Sequence, residues 1–206
     1  MRFIGITGGV GAGKSAILSY LAQKPKTKVM LADEIAHRLM ESGTDCYEKI
    51  VEQFAGEDIF QENILQEEAS KLKPFDKAKL AQVIFSNATK RTQMNAIVHP
   101  AVKAYVKKTY DEELKRGELK LLVLEAALLI EEDYDEICDE LWYIYTSEDN
   151  RRQRLRESRG YSDEKINGIF QSQLSEEEFR KHTQVTIDNN GCLEDTFQQI
   201  ENALRR

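Results

Sequence analysis

Apolar and polar positions along the chain follow two rhythms, one near a strand's two-residue period and one near a helix's 3.6. Arg2 to Thr7 carries Phe3, Ile4 and Ile6 and reads as a strand running into glycines. From Ser15 the spacing of Ile17, Leu18 and Leu21 predicts a helix. Val29 to Ala32 is a second short strand, ending at Asp33. Helical spacing returns over about 34–42 and 45–55, followed by a polar stretch from Gly56 to about Ser70. Helices resume over about 76–86 and 88–98, break at His99–Pro100, and are followed by a longer helix that stops at Gly117.

Lys120 to Leu124 is almost continuously apolar, the pattern of a strand buried on both faces of a parallel sheet, and Leu141 to Tyr145 repeats it. Helical stretches over about 148–158, 163–173 and 176–182 lead to a fifth strand at Val185 to Asp188. Leu193, Phe197, Ile200 and Leu204 then define a final amphipathic helix. Strands alternating with helices indicate an α/β fold with a mainly parallel, five-stranded sheet. The run of helices from 34 to 117, with no strand between, predicts a helical lobe inserted after the second strand.

Composition narrows the class. The 206 residues suit one domain with a sub-lobe, and 41% hydrophobic content with three prolines excludes a disordered chain. The longest apolar run, Leu121 to Ile130, contains Glu125, so no membrane span is expected; the apolar segment after Arg2 is too short for a signal peptide. Cys46, Cys138 and Cys192 are odd in number and far apart, which predicts neither disulfides nor a zinc site and fits a reducing cytoplasm. The net charge of -7 argues against an anionic partner only until its distribution is read. Nine acids and no Lys or Arg lie in 131–149, which leaves the rest of the chain net positive. Nine Lys or Arg face one acid, Asp76, in 71–108, and five arginines face one glutamate in 150–160. Two basic blocks can therefore attract a polyanion, or serve as solvated helix faces.

The chemistry begins at Gly8-Gly9-Val10-Gly11-Ala12-Gly13-Lys14-Ser15, which satisfies G-x-x-x-x-G-K-[ST] between a strand and a helix. Glycines let successive N–H groups converge on phosphate oxygens, and the following helix points its positive end at the same place. The expected nucleotide contacts are Gly9, Gly11, Ala12, Gly13, Lys14, Ser15 and Ala16, with the Ser15 hydroxyl on Mg²⁺ and Lys14 on the β- and γ-phosphates. The loop lacks the third glycine of a dinucleotide-binding turn, and N-K-x-D, the guanine reader, does not occur. An ATP-type P-loop and the three-layer P-loop NTPase fold follow.

Phosphoryl transfer also needs a group to take the acceptor's proton. Asp33 ends the second strand, and carboxyl ends of parallel strands open on the crevice that a P-loop shares. It is the base candidate, with N-capping of the next helix as the competing role. Among Arg151, Arg152, Arg154, Arg156 and Arg159, helical spacing puts Arg152, Arg156 and Arg159 on one face and points Arg151 and Arg154 elsewhere. His99 before Pro100 either contacts substrate or ties down a turn; His37 and His182 read as surface residues.

These residues, taken in order, resemble the dephospho-CoA kinase family over nearly the whole chain. The resemblance rests on Ile6 to Ser15, Ala32-Asp33-x-Ile35-Ala36, Leu80-x-x-Val83-Ile84-Phe85, His99-Pro100, Leu128 to Glu131, Arg154-Leu155 with Arg159, Gln173, and Ile187-Asp188-Asn189-x-Gly191. It implies ATP-dependent phosphorylation of the ribose 3′-hydroxyl of dephospho-CoA. It also implies a core (about 1–33, 118–149 and 184–206), an acceptor-binding helical lobe (about 34–117) and an arginine-rich lid (about 150–183). Asp33, Lys14 and Arg154 then become the catalytic set. Arg154, Asn189 and Gly191 join the ATP contacts, and Lys77, His99 and Arg159 join Asp33 at the acceptor. Leu31, Lys77, Glu125, Ala127 and Thr183-Gln184 depart from the family's usual residues and bear mainly on acceptor contacts. A cytoplasmic monomer acting on ATP and dephospho-CoA, with no nucleic acid or membrane partner, is the expectation. Another nucleoside or nucleotide kinase, or a nucleic-acid-stimulated ATPase using the basic blocks, is the alternative.

Overall fold

A computed structural model describes residues 1–60 and 73–206, so most of the polar stretch expected from Gly56 to about Ser70 lies outside the described residues. Five strands pair in parallel in the order β2-β3-β1-β4-β5: β1 (Arg2–Thr7), β2 (Thr27–Leu31), β3 (Leu121–Glu125), β4 (Glu140–Tyr145) and β5 (Val185–Asp188). The register sets Ile6 beside Glu125 and Thr7 beside Tyr143, which brings the carboxyl ends of β3, β1 and β4 to one edge. The sheet is apolar on both faces, as a wholly parallel sheet must be. Ile4, Ile6, Leu121, Val123, Trp142 and Ile144 are buried on one face against Ile17, Leu18 and Leu21 of α1 (Lys14–Ala22) and Ile200 and Ala203 of α9 (Leu193–Leu204). On the other face Phe3 stacks on Tyr110 at 5.2 Å, and Tyr143 on Phe179 at 4.8 Å. Each fully buried Ile or Leu contributes about 1.5–3 kcal/mol, so this two-sided core holds the strand ends in place.

The chain divides into two compact units, Met1–Leu31 with Tyr110–Arg206, and Ala32–Thr109. The first contains the sheet, α1 and α9, together with α6 (Glu148–Arg159), α7 (Asp163–Gln171) and α8 (Glu176–His182). Short polar residues start these three helices: Ser147, Ser162 and Ser175 each accept a hydrogen bond from the backbone N–H three residues on. Gly160, at φ 62°, ends α6 in the left-handed conformation that a glycine adopts without Cβ strain. The second unit is helical, with α2 (Ala32–Leu39), α3 (Asp45–Gln53), α4 (Lys77–Phe85) and most of α5 (Ala88–Arg116).

The expected break at His99–Pro100 does not occur, because α5 runs through Pro100 without interruption. Proline removes one backbone donor, which normally ends or kinks a helix. Here Met94, Val98, Val102 and Val106 recur every four residues and are all buried, so one apolar stripe passes beneath the proline. Packing along that stripe outweighs the single lost hydrogen bond. Pro100 itself is exposed. The stop at Gly117 is as expected, with φ 69° and its N–H donating to the Glu113 carbonyl at 3.0 Å.

Candidate active site

The turn from β1 into α1 makes the phosphate cradle. Gly11 and Gly13 both take φ 85°, a conformation that side chains with a Cβ rarely adopt. A Cβ on Gly13 would also strike the Asn189 amide, and one on Gly9 would strike the Arg151 guanidinium. Ala16 N–H in the first turn of α1 donates to the Gly13 carbonyl at 3.2 Å, and the helix dipole adds partial positive charge at the same end. Lys14 Nζ donates to the Gly8 carbonyl at 2.7 Å and lies 3.5 Å from Glu125 Oε1. Both side chains are mostly buried, which keeps a positive and a negative group together where the strands end.

The back of the loop is tied down through the carbonyl of Ala12. That oxygen accepts from Thr146 Oγ1 at 3.1 Å, Asn189 Nδ2 at 2.7 Å and Arg154 Nη1 at 3.4 Å. Asn189, 2% exposed, follows β5 and also accepts from Thr196 Oγ1 at 3.0 Å. Arg154 Nη2 donates to the Asn189 carbonyl at 2.8 Å. Buried carbonyls without donors are costly, so this network fixes the loop from behind. Nearby, Asn190 Oδ1 accepts from Ser147 N and Asn150 Nδ2, which joins the start of α6 to the turn after β5. Gly191 lies exposed in that turn.

The front of the loop meets α6 and the residues after α7. Arg151 Nε donates to the Val10 carbonyl at 3.0 Å, and its Nη2 donates to Gln173 Oε1 at 2.5 Å. Val10 N–H donates to the same Gln173 oxygen at 3.3 Å. Burial lowers the pKa of the Arg151 guanidinium, with Tyr143 and Glu148 opposing that shift. Burial also pushes Tyr143, under α8, up to about 12, so its hydroxyl stays protonated at neutral pH.

The arginines divide as their helical spacing predicts. Arg151 and Arg154 reach the P-loop. Arg152 and Arg156 turn to Asp163 at the start of α7, where the Arg156 hydrogen bond holds the carboxyl below its usual range. Arg159 lies over the Tyr161 ring at 5.8 Å and is exposed.

Asp33 follows β2 by two residues and stands exposed in the first turn of α2, one residue inside the helix and not at its cap. Within the helical unit, Lys77 at the start of α4 lines a cavity of about 490 Å³ with His37, Glu41, Ser42 and Phe75. His99 is half-buried in the middle of α5.

Sequence reasoning missed Arg151, Gln173 and Glu125 as site residues. Glu125 had a signal, being the only acid within the apolar run of the strand that flanks β1. Ser15 and Glu125 offer hydroxyl and carboxylate oxygens, the hard donors that Mg²⁺ prefers. Among the described residues no group of three or more His, Cys, Asp or Glu could hold a metal. No helix among the described residues is long and apolar enough to cross a membrane.

Comparison with known proteins gives the family. A family model described as dephospho-CoA kinase matches residues 2–195. A dephospho-CoA kinase from Carboxydothermus hydrogenoformans is 32% identical over 206 residues, covering 100% of this chain and 94% of the relative. One from Bacillus licheniformis is 35% identical over 202 residues, covering 98% and 94%. The solved structure of dephospho-CoA kinase from Campylobacter jejuni, at 22% identity, shares the fold with a TM-score of 0.69 over 100% of this chain and 96% of that one.

Proposed function

The chain belongs to the dephospho-CoA kinase family and is a kinase of the final step of coenzyme A biosynthesis, and we propose how its residues divide the transfer of the ATP γ-phosphoryl group to the ribose 3′-hydroxyl of dephospho-CoA. The observation that carries this reading is the built cradle: a glycine loop tied from behind through the Ala12 carbonyl, with Lys14 held at the Gly8 carbonyl and beside Glu125. Converging N–H groups and the α1 dipole bind the β- and γ-phosphates, and Lys14 adds a full charge where negative charge grows in the transition state. Ser15 and Glu125 are the residues that would hold Mg²⁺, which supplies neutralisation of the phosphate oxygens when bound.

Asp33 is the base that takes the 3′-hydroxyl proton. Its place just beyond a parallel strand supports this role, since ligands of open parallel sheets bind outside the carboxyl ends of the strands. Lys77 and His99 bind the anionic acceptor, supported by the cavity that Lys77 lines within its own helical unit. Arg159 is an acceptor contact from the arginine-rich segment 150–183, which serves as the lid. Arg154 acts on the nucleotide side by holding the Ala12 and Asn189 carbonyls, and Asn189 and Gly191 form the turn beside the adenine.

Two measurements test this division. In an acceptor panel with ATP and Mg²⁺, dephospho-CoA is consumed and nucleosides and nucleoside monophosphates are not; preference for a nucleoside refutes the acceptor. Asp33→Asn lowers kcat by about 10²- to 10⁴-fold while ATP affinity changes little. Loss of ATP binding with unchanged turnover per bound ATP would instead give Asp33 a structural or metal-linked role.

A further inference from the structure

We propose that Arg151 and Gln173 are positioning residues of the phosphate site, clamping the crest of the P-loop at Val10 and coupling its shape to α6 and to the end of α7. Both backbone groups of Val10 are engaged by these two side chains, its N–H by Gln173 Oε1 at 3.3 Å and its carbonyl by Arg151 Nε at 3.0 Å. Arg151 Nη2 donates to the same Gln173 oxygen at 2.5 Å, which closes a ring of three hydrogen bonds. Two donors meet on one atom, so the glutamine must present its oxygen to the loop and its NH₂ elsewhere. The guanidinium is braced from α7 by the Phe170 ring, 4.3 Å from Cζ. Gly9 completes the fit, because only a residue without Cβ lets the guanidinium lie this close to the loop backbone.

The physical case is one of preorganisation. A loop with four glycines among residues 8–13 has many accessible backbone conformations, and only some of them point its amides at one phosphate group. The Ala12 network fixes the loop at one residue, and the Val10 clamp fixes it at another. With both in place the cradle is shaped before nucleotide arrives, and less entropy is lost on binding. Arg151 uses two different nitrogens at fixed angles, a geometry that lysine does not reproduce. The clamp thus depends on the guanidinium's shape as well as its charge.

The inference rests on the ATP-binding reading above, so its test is calorimetric titration with ATP in the absence of any acceptor, followed by steady-state kinetics. Gln173→Met is expected to weaken ATP binding and raise KM for ATP by about five- to tenfold, with kcat changed less than about twofold. Arg151→Lys is expected to show the same loss, and the double variant to be no worse than either single one, because each change breaks the same ring. Gly9→Ala displaces the guanidinium from the loop side and gives a third route to the same ATP phenotype. Gln171→Met, an exposed neighbour, leaves all constants unchanged. ATP affinity retained in Gln173→Met, full rescue by Arg151→Lys, or a lowered Tm with unaltered ATP affinity would each overturn the clamp. If the unaltered protein binds ATP but does not phosphorylate dephospho-CoA, only the acceptor assignment fails. If it binds no ATP, both fail.

Discussion

Arg151 and Arg154 on one side of α6 hold the backbone of Val10, Ala12 and Asn189, whereas Arg152 and Arg156 on the same helix hold Asp163 at the start of α7. The two pairs differ in partner, and Arg156 differs in burial as well. Arg151 and Arg154 are partly buried against the carbonyl oxygens of Val10, Ala12 and Asn189, while Arg156 and Asp163 are exposed to water. An exposed ion pair is screened and contributes little, but a donor withdrawn from a buried carbonyl leaves a desolvated group behind. One helix therefore carries arginines with unequal consequences. A count of arginines in a segment is thus not a count of phosphate ligands.

The contrast sharpens with the size of effect expected at each position. Lys14→Ala, which removes the charge that both faces of the site serve, should lower kcat/KM by about 10²- to 10³-fold and weaken ATP binding as well. Arg154→Ala should follow, weakening ATP binding and costing about 0.5–1.5 kcal/mol of stability, because Thr146 and Asn189 still donate to the Ala12 carbonyl and Thr146 to the Asn189 carbonyl. Denaturant unfolding beside ATP titration checks both parts. Arg156→Ala should change kcat/KM by less than about twofold. Equal losses from Arg154→Ala and Arg156→Ala would erase the distinction between the faces.

The smallest expected effect is one of pH. Asp163 is held below its usual range of about 3.8, first by its hydrogen bond to Arg156 and then by the nearby Arg156 and Arg152 charges. A depressed carboxylate contributes stability that is present above its unfolded pKa and is lost as pH falls through the folded one. The pair should therefore weaken only in acid, and Asp163→Asn should lower Tm slightly at neutral pH, converge with the unaltered protein in acid, and leave activity nearly unchanged. A neutral-pH Tm drop as large as that of Arg154→Ala would give the outer face more weight than its exposure allows.

The sheet and the cradle were legible because each rests on a local signal. β3 and β4 are continuous apolar runs, and the P-loop is a fixed spacing of residue types between a strand and a helix. Residues 88–116 were not, since Pro100 signals a break locally while the buried stripe from Met94 to Val106 holds the helix through it. The arginines show the limit from another side. Helical spacing correctly separated Arg151 and Arg154 from Arg152, Arg156 and Arg159, but it carries no information on which face meets the loop. Gln173 stood out only through family resemblance, because its partners Val10 and Arg151 are distant in sequence and converge only in the folded chain. Asn189 was expected near adenine; its burial and its bond to the Ala12 carbonyl give it a structural part that a turn motif does not reveal.

The central claim is tested most directly by incubating the purified protein with ATP, Mg²⁺ and dephospho-CoA and following the products by ³¹P NMR. The account predicts one ADP per acceptor consumed and a new phosphomonoester resonance assigned to the ribose 3′-position, both abolished by Lys14→Ala. ATP turnover without that resonance, or a phosphate placed on another hydroxyl, would contradict it.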